Sequence, residues 1–193
     1  MLQFRRATES DLEALFAIDR KDEGYASNDD EPEEDPRPLA RQRERQRAKI
    51  AGFVRDPDKA GWVFEDPPSH KIVGMILCMF RDLNAPSPIP PKPDFFAQIR
   101  QHLPADGRFG DVFNLWVAPA YRRQGLATRL KQQFEAETRR RGLKLLYTHT
   151  EQTNPHVVEL NRKLGYREIR RGPIWDEVVR VSLVKDLEAD SQL

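Results

Sequence analysis

The chain has one cysteine, Cys78, in 193 residues. A single cysteine excludes an internal disulfide framework and any cysteine-rich metal cluster. It lies inside the run I-V-G-M-I-L-C-M-F, where a small buried core residue is the expected role. Charge of one sign is lacking too: 32 Lys and Arg stand against 31 Asp and Glu, net +1. No global field therefore selects nucleic acid or a membrane surface. No run approaches the ~18 apolar residues of a membrane-spanning helix. The opening M-L-Q-F-R-R-A-T has no signal-peptide apolar region and reads as a strand. A reducing, cytoplasmic setting is the expectation. His70, His102, His149 and His156 lack ligand spacing, so no metal site is expected and all four read as structural or solvated. No Ser/His/Asp nucleophile motif, internal repeat or domain boundary stands out. One domain is expected over 1–187, followed by a polar tail at 188–193.

What is present is concentrated in Asp111 to Leu130, D-V-F-N-L-W-V-A-P-A-Y-R-R-Q-G-L-A-T-R-L. An apolar strand runs to Val117, Pro119 stops it, and Arg122 to Thr128 leads straight into a helix. Leu126, Ala127, Leu130 and Phe134 share the face that such a helix buries. The first-turn backbone N–H groups then have no intrahelical partners and carry the positive end of the helix dipole. An anion is welcome there. Gly125 lets the backbone approach it without an intervening side chain, and Ala127 is nearly as small. Arg122 and Arg123 add positive charge. The stretch reads as a pyrophosphate cradle.

R-R-Q-G-L-A at Arg122 to Ala127 resembles the [QR]-x-x-G-x-[GA] loop of the GNAT superfamily, the N-acyltransferases that use acetyl-CoA. The segment N-P-H-V-V-E-L-N-R-K-L-G-Y, Asn154 to Tyr166, is similar to that superfamily's N-x-x-A-x-x-L-Y-x-x-x-G-F stretch. The resemblance covers Asp111 to Ile169 well and the earlier elements more loosely. It implies a single α/β domain with a mixed, mostly antiparallel sheet of six to seven strands and helices on both faces. It also implies acetyl-CoA as co-substrate and an amine as acceptor.

Elsewhere, Leu2 to Ala7 reads as a strand, and Thr8 or Ser10 caps a helix running to Arg20. Asp29 to Asp35, D-D-E-P-E-E-D, is an acidic loop. Pro36 to Val54 reads as a helix crowded with Arg41, Arg43, Arg45 and Arg47, chiefly a solvated face. Gly61 to Asp66 and Lys71 to Arg81 form a hairpin around P-P-S-H. The stretch 83–110, with Pro86, Pro88, Pro90, Pro91 and Pro93, is an insertion. In it Asp94 can cap a short helix bearing Phe95, Phe96, Ile99 and Leu103. It is either a wall or lid of the acceptor site or a packed excursion. The central helix runs to about Arg141 and Gly142 ends it. A strand follows at Leu143 to Thr150. A helix is capped by Asn154, with Pro155 at its first position and Val157, Leu160 and Leu164 facing inward. Tyr166 to Arg170 and Val178 to Leu187 are the last strands.

The chemistry divides into three jobs. For the donor, Arg122, Arg123 and the backbone of Gln124, Gly125, Leu126, Ala127 and Thr128 hold pyrophosphate. The resemblance places the backbone of Leu115, Trp116 and Val117 beside pantetheine and the acyl carbonyl, with Asn154 and Asn161 as further hydrogen-bond partners. For proton removal, Asp111 is the first choice: it opens the fourth strand, where the superfamily's histone-type members carry a glutamate, and burial would raise its pKa. Glu65 is the second. For the leaving thiolate, the superfamily often uses a tyrosine where this chain has Asn161. The acid is then water, Tyr147, Tyr166 or absent.

These residues favour acetyl transfer from acetyl-CoA to a primary amine by direct attack in a ternary complex. Two other classes stay open. One is a non-catalytic acyl-CoA-binding sensor. The other is an interaction module using the Arg-rich helix over 37–47, with nucleic acid disfavoured by the acidic run beside it. A membrane partner is not expected, and the chain is read as a monomer or homodimer. The acceptor's identity is left open.

Overall fold

In a computed structural model the described residues are 1–22, 37–85 and 95–188. The strands are β1 (Gln3–Arg6), β2 (Lys59–Asp66), β3 (Lys71–Asp82), β4 (Arg108–Val117), β5 (Leu145–Glu151), β6 (Arg167–Pro173) and β7 (Val179–Asp186). The helices are α1 (Leu12–Asp22), α2 (Arg37–Arg55), α3 (Phe95–Gln98), α4 (Leu126–Arg140) and α5 (Pro155–Lys163). The seven strands make one sheet in the order β1-β2-β3-β4-β5-β7-β6. β4 pairs with β5 in parallel, through Gly110 opposite Leu146 and Asp111 opposite Tyr147. β1 with β2, β5 with β7 and β6 with β7 are antiparallel. The expected α/β class and mixed, mostly antiparallel sheet are observed. Among the described residues no helix is long and apolar enough to cross a membrane.

The chain clusters into two compact units. The first is Met1–Cys78 with Asn114–Leu130. The Thr8 backbone N–H donates to the Asp11 carboxylate at 2.7 Å, starting a 3-10 turn that leads into α1. Arg5 grips the same carboxylate at 2.7 and 2.8 Å. Leu15 and Phe16 of α1 and Ile50 and Phe53 of α2 are buried, as are Val63 and Phe64 of β2. In β3, Gly74 leaves room for the first turns of α4: a Cβ there would touch Phe64, Leu126 and Leu130 at 3.5–3.7 Å. Leu126 and Leu130 are themselves buried, so hydrophobic packing sets where α4 begins.

The second unit is Met79–Phe113 with Lys131–Leu193. Its core joins Ile99, Leu103, Phe109, Leu145, Tyr147 and Val184, with Leu83, Phe96 and Ile169 packed on it. The second half of the insertion is thus core, not a free lid. The prolines from Pro86 to Pro93, and Asp94, lie outside the described residues, as does the acidic run Asp29 to Asp35. α4 ends at Arg140, one residue earlier than expected. The Gly142 N–H donates to Arg139 O at 2.9 Å and the Leu143 N–H to Thr138 O at 3.1 Å, and Gly142 takes φ +70. This pair of bonds satisfies carbonyls that the helix end would otherwise leave open.

Three expectations need correction. β4 begins at Arg108, so Asp111 does not open the strand; it is buried within it at 3% exposure. Asn154 stands before α5, yet its side chain makes no cap hydrogen bond. The buried face of α5 is Val158 and Asn161, while Val157, Leu160 and Leu164 are only half-buried.

Candidate active site

The segment read as a cradle, Arg122 to Thr128, belongs to the first unit. Arg122 to Gly125 are exposed between Tyr121 and the buried Leu126. Arg123 has φ +59 and Gly125 has φ +82. Such left-handed positions turn successive N–H groups toward a common point, an anion-binding concavity. The Arg129 N–H donates to Gly125 O at 3.0 Å, which starts the helical ladder. Among the described residues, no protein acceptor takes the N–H groups of Arg123 to Thr128. A Cβ on Gly125 would meet nothing within 4 Å, so no other part of the protein crowds the loop at that position. Arg122 Nε donates to Val117 O at 3.1 Å, and Gln124 Nε2 to Ala120 O at 3.2 Å. These side chains therefore brace the loop, and the Arg122 fork keeps its Nη groups for a ligand. Leu115, Trp116 and Val117 are half-buried at the end of β4. Next to them, Asn114 Nδ2 donates to Asp19 Oδ1 at 2.9 Å, and Gln46 Nε2 to Asp19 Oδ2 at 2.9 Å. Asp19 is wholly buried, and these two amides tie α1 to α2 and β4.

The titratable cluster belongs to the second unit. Arg81 Nε donates to Asp111 Oδ2 at 2.6 Å. Burial pushes the Asp111 carboxyl above its usual range, against the pull of Arg81. Asp111 is thus buried, as the sequence suggested, but it is ion-paired to Arg81 rather than free to take a proton. Across the ladder stands Tyr147, buried, sharing a hydrogen bond of 3.2 Å with the Ser182 hydroxyl. Its phenol is raised by burial, which opposes an acid role near neutral pH. Two residues along β5, on the same face, is His149. Burial, then Arg180 and Arg81, push its imidazole down to about 4. The ring is therefore neutral, with Nδ1 buried and lacking a partner. The lack of ligand spacing argued against His149 in the sequence; period-2 alternation with Tyr147 was the signal available. In α5, Asn161 is wholly buried, and both polar atoms of its amide lack a protein partner. Asn154 is exposed.

Glu65 does not offer a free carboxylate. It accepts from Arg5 at 2.7 and 2.9 Å and contacts His70 Nδ1 at 3.2 Å, and these contacts lower its pKa. In the Arg-rich helix, Arg47 donates to Glu13 and Arg55 to Glu9, so part of its charge serves the fold. Tyr166 is buried under Lys131, whose Nζ lies 4.4 Å from the ring centroid. Cys78 is buried, as expected. Among the described residues no group of His, Cys, Asp and Glu is arranged to hold a metal ion.

The fold is a seven-stranded mixed sheet whose fourth strand turns into a helix with open first-turn N–H groups, an arrangement that favours an anion. The family model described as Acetyltransferase (GNAT) family matches residues 13–166, and the chain belongs to that family. No curated protein matches it significantly. Among solved structures, Arabidopsis thaliana NAA60 in complex with acetyl-CoA is similar, at 16% identity and TM-score 0.67, over 97% of this chain and 99% of that one. The same plant protein with a bisubstrate analogue gives 17% identity and TM-score 0.66, over 96% and 98%. The ribosomal-protein-S18-alanine N-acetyltransferase from Escherichia coli gives 14% identity and TM-score 0.61, over 97% and 94%. At these identities the likeness is one of fold.

Proposed function

We propose that the chain transfers an acetyl group from acetyl-CoA to a primary amine by direct attack in a ternary complex. Family membership supports acetyl transfer. The observation that carries the donor assignment is the row of N–H groups from Arg123 to Thr128 at the start of α4, none of which has an acceptor among the described residues. Pyrophosphate oxygens satisfy those donors, and Arg122 and Arg123 add charge-assisted contacts. The backbone of Leu115 to Val117 lies along pantetheine. Asn154 and the buried amide of Asn161 give it further hydrogen bonds. Burying that amide without a partner is costly, and a polar ligand removes the cost.

For proton removal we propose His149 in place of Asp111. The His149 imidazole has a partnerless Nδ1 and can take a proton from the strongly acidic nitrogen formed as the amine attacks, whereas Asp111 already holds Arg81. The amine nitrogen forms its bond to the acyl carbon while the carbon–sulfur bond breaks. The proton lost by the amine nitrogen passes to His149, the thiolate, of pKa ~8.5, leaves without a protein acid, and His149 returns the proton to it through water, giving amide, CoA thiol and neutral imidazole. Calorimetry tests the donor assignment. Wild type is expected to bind acetyl-CoA at micromolar Kd, and Gly125→Glu, folded by circular dichroism, to lose it. A wild type that does not bind acetyl-CoA refutes the reading.

A further inference from the structure

Among the described residues, the large apolar side chains exposed to solvent, Met1 aside, are Trp175 at 62%, Val178 at 41% and Val179 at 37%. All three stand where β6 turns into β7. Trp175 is held in place. The Arg180 guanidinium lies over its ring at 4.5 Å, and the His149 ring stands 5.0 Å away at 81°. Arg180 is buried and gripped by both oxygens of Asp176, with Nη2 to Oδ2 at 3.0 Å. The Val178 N–H donates to the same carboxylate at 2.9 Å, which fixes the turn. A large aromatic surface is thus pre-positioned beside His149 and left mostly uncovered. An indole held this way contributes contact area at low entropic cost on binding.

The cations nearby are engaged: Arg180 by Asp176, Arg81 by Asp111, and Arg170 by the carbonyls of Gly172 and Pro173. The surface therefore provides apolar contact, not an open anchor for an anion. Resting on the acetyl-transfer reading, we infer that Trp175 and His149 form an acceptor-recognition surface for an α-amine that carries a large apolar neighbouring side chain, as at a peptide N-terminus. The side chain lies on the indole and the amine reaches the imidazole. The basicity of the acceptor agrees. Near neutral pH a far larger fraction of an α-amine of pKa ~7.7–8.0 is already neutral and able to attack than of a lysine side chain of pKa ~10.4, so it needs no strong base.

The test compares two tetrapeptides that differ only in a first residue of Leu or Gly, plus Nα-acetyl-lysine amide as an ε-amine probe. Wild type, Trp175→Ala, Trp175→Gln and Trp175→Phe are assayed. Wild type is expected to favour the Leu peptide in kcat/KM by about tenfold. Trp175→Ala and Trp175→Gln reduce that ratio to about twofold or less, mainly through KM, and Trp175→Phe restores it. In the absence of donor, the Leu peptide changes the indole fluorescence of wild type; Trp175→Phe, which keeps Trp62 and Trp116, abolishes the change. An unaltered ratio in both Trp175→Ala and Trp175→Gln overturns the inference. So does a lysine probe that outruns both peptides. Acetyl-CoA binding is measured on the same samples. Its absence in wild type refutes acetyl transfer itself, whereas donor binding with Trp175-independent peptide acetylation refutes only the recognition surface.

Discussion

Gly125 and Gly142 make a matched pair at opposite ends of α4. Gly125 has φ +82 and Gly142 has φ +70, and an added Cβ meets nothing within 4 Å at either. Alanine at either site therefore adds backbone strain and no clash. The left-handed conformation costs an L-residue ~1–2 kcal/mol. Reduced freedom of the unfolded chain returns ~0.4–1 kcal/mol. Each variant should lose about 1 kcal/mol of stability, a fall of roughly 2–4 °C in Tm for a chain of this size. The two differ in what the open space is for. Gly125 lies within the row of unaccepted N–H groups from Arg123 to Thr128, so under the proposed donor site its methyl group would crowd the bound pyrophosphate. One charge-assisted hydrogen bond lost is ~1.5–3 kcal/mol, or roughly 10- to 150-fold in Kd. At Gly142 the methyl group faces water. Thermal melts and acetyl-CoA calorimetry on both variants give the comparison. Equal melting shifts with weakened binding in Gly125→Ala alone is the expected result. Equal binding losses in the two variants, or Gly125→Ala binding as well as wild type, would refute the cradle.

Gly110→Ala should destabilise by about 2–3 kcal/mol in urea unfolding, because its Cβ would stand 2.8 Å from Phe134 and Thr138 and 2.9 Å from Leu146. His149 has a folded pKa of about 4, below its unfolded value of ~6.5, so the unfolded chain binds the proton first. Its contribution to stability is complete above pH ~6.5 and is lost as pH falls toward 4, by about 2 kcal/mol once partial exposure is allowed for. His149→Phe should flatten that acid slope in denaturant titrations at pH 7.5 and 5. Asp111→Asn leaves Arg81 without its partner and should cost about 2–3 kcal/mol. A variant that melts like wild type but transfers no acetyl group would instead return the proton-accepting role to Asp111.

The GNAT assignment was legible in sequence because its signals are local. Arg122 to Thr128 follows an apolar strand stopped by Pro119, and capping, dipole and glycine rules act within one turn of that junction. The hairpin at Pro67 to His70, the stop at Gly142 and the proline start of α5 were legible for the same reason. Side-chain roles were not. Asp111 read as a strand-initial carboxylate free to take a proton, yet Arg81, 30 residues earlier, pairs with it. Glu65 read as the second candidate base, yet β1 brings Arg5 against it. His149 read as bland because its setting comes from Arg81, Trp175 and Arg180.

The sequence by itself determined the family and the order of its elements, since each rests on patterns among residues near in the chain. Tertiary structure alone decided which carboxylates are ion-paired, which imidazole stays neutral and which indole is left uncovered. Those properties depend on burial and on charges brought together from distant segments, and no local pattern records them.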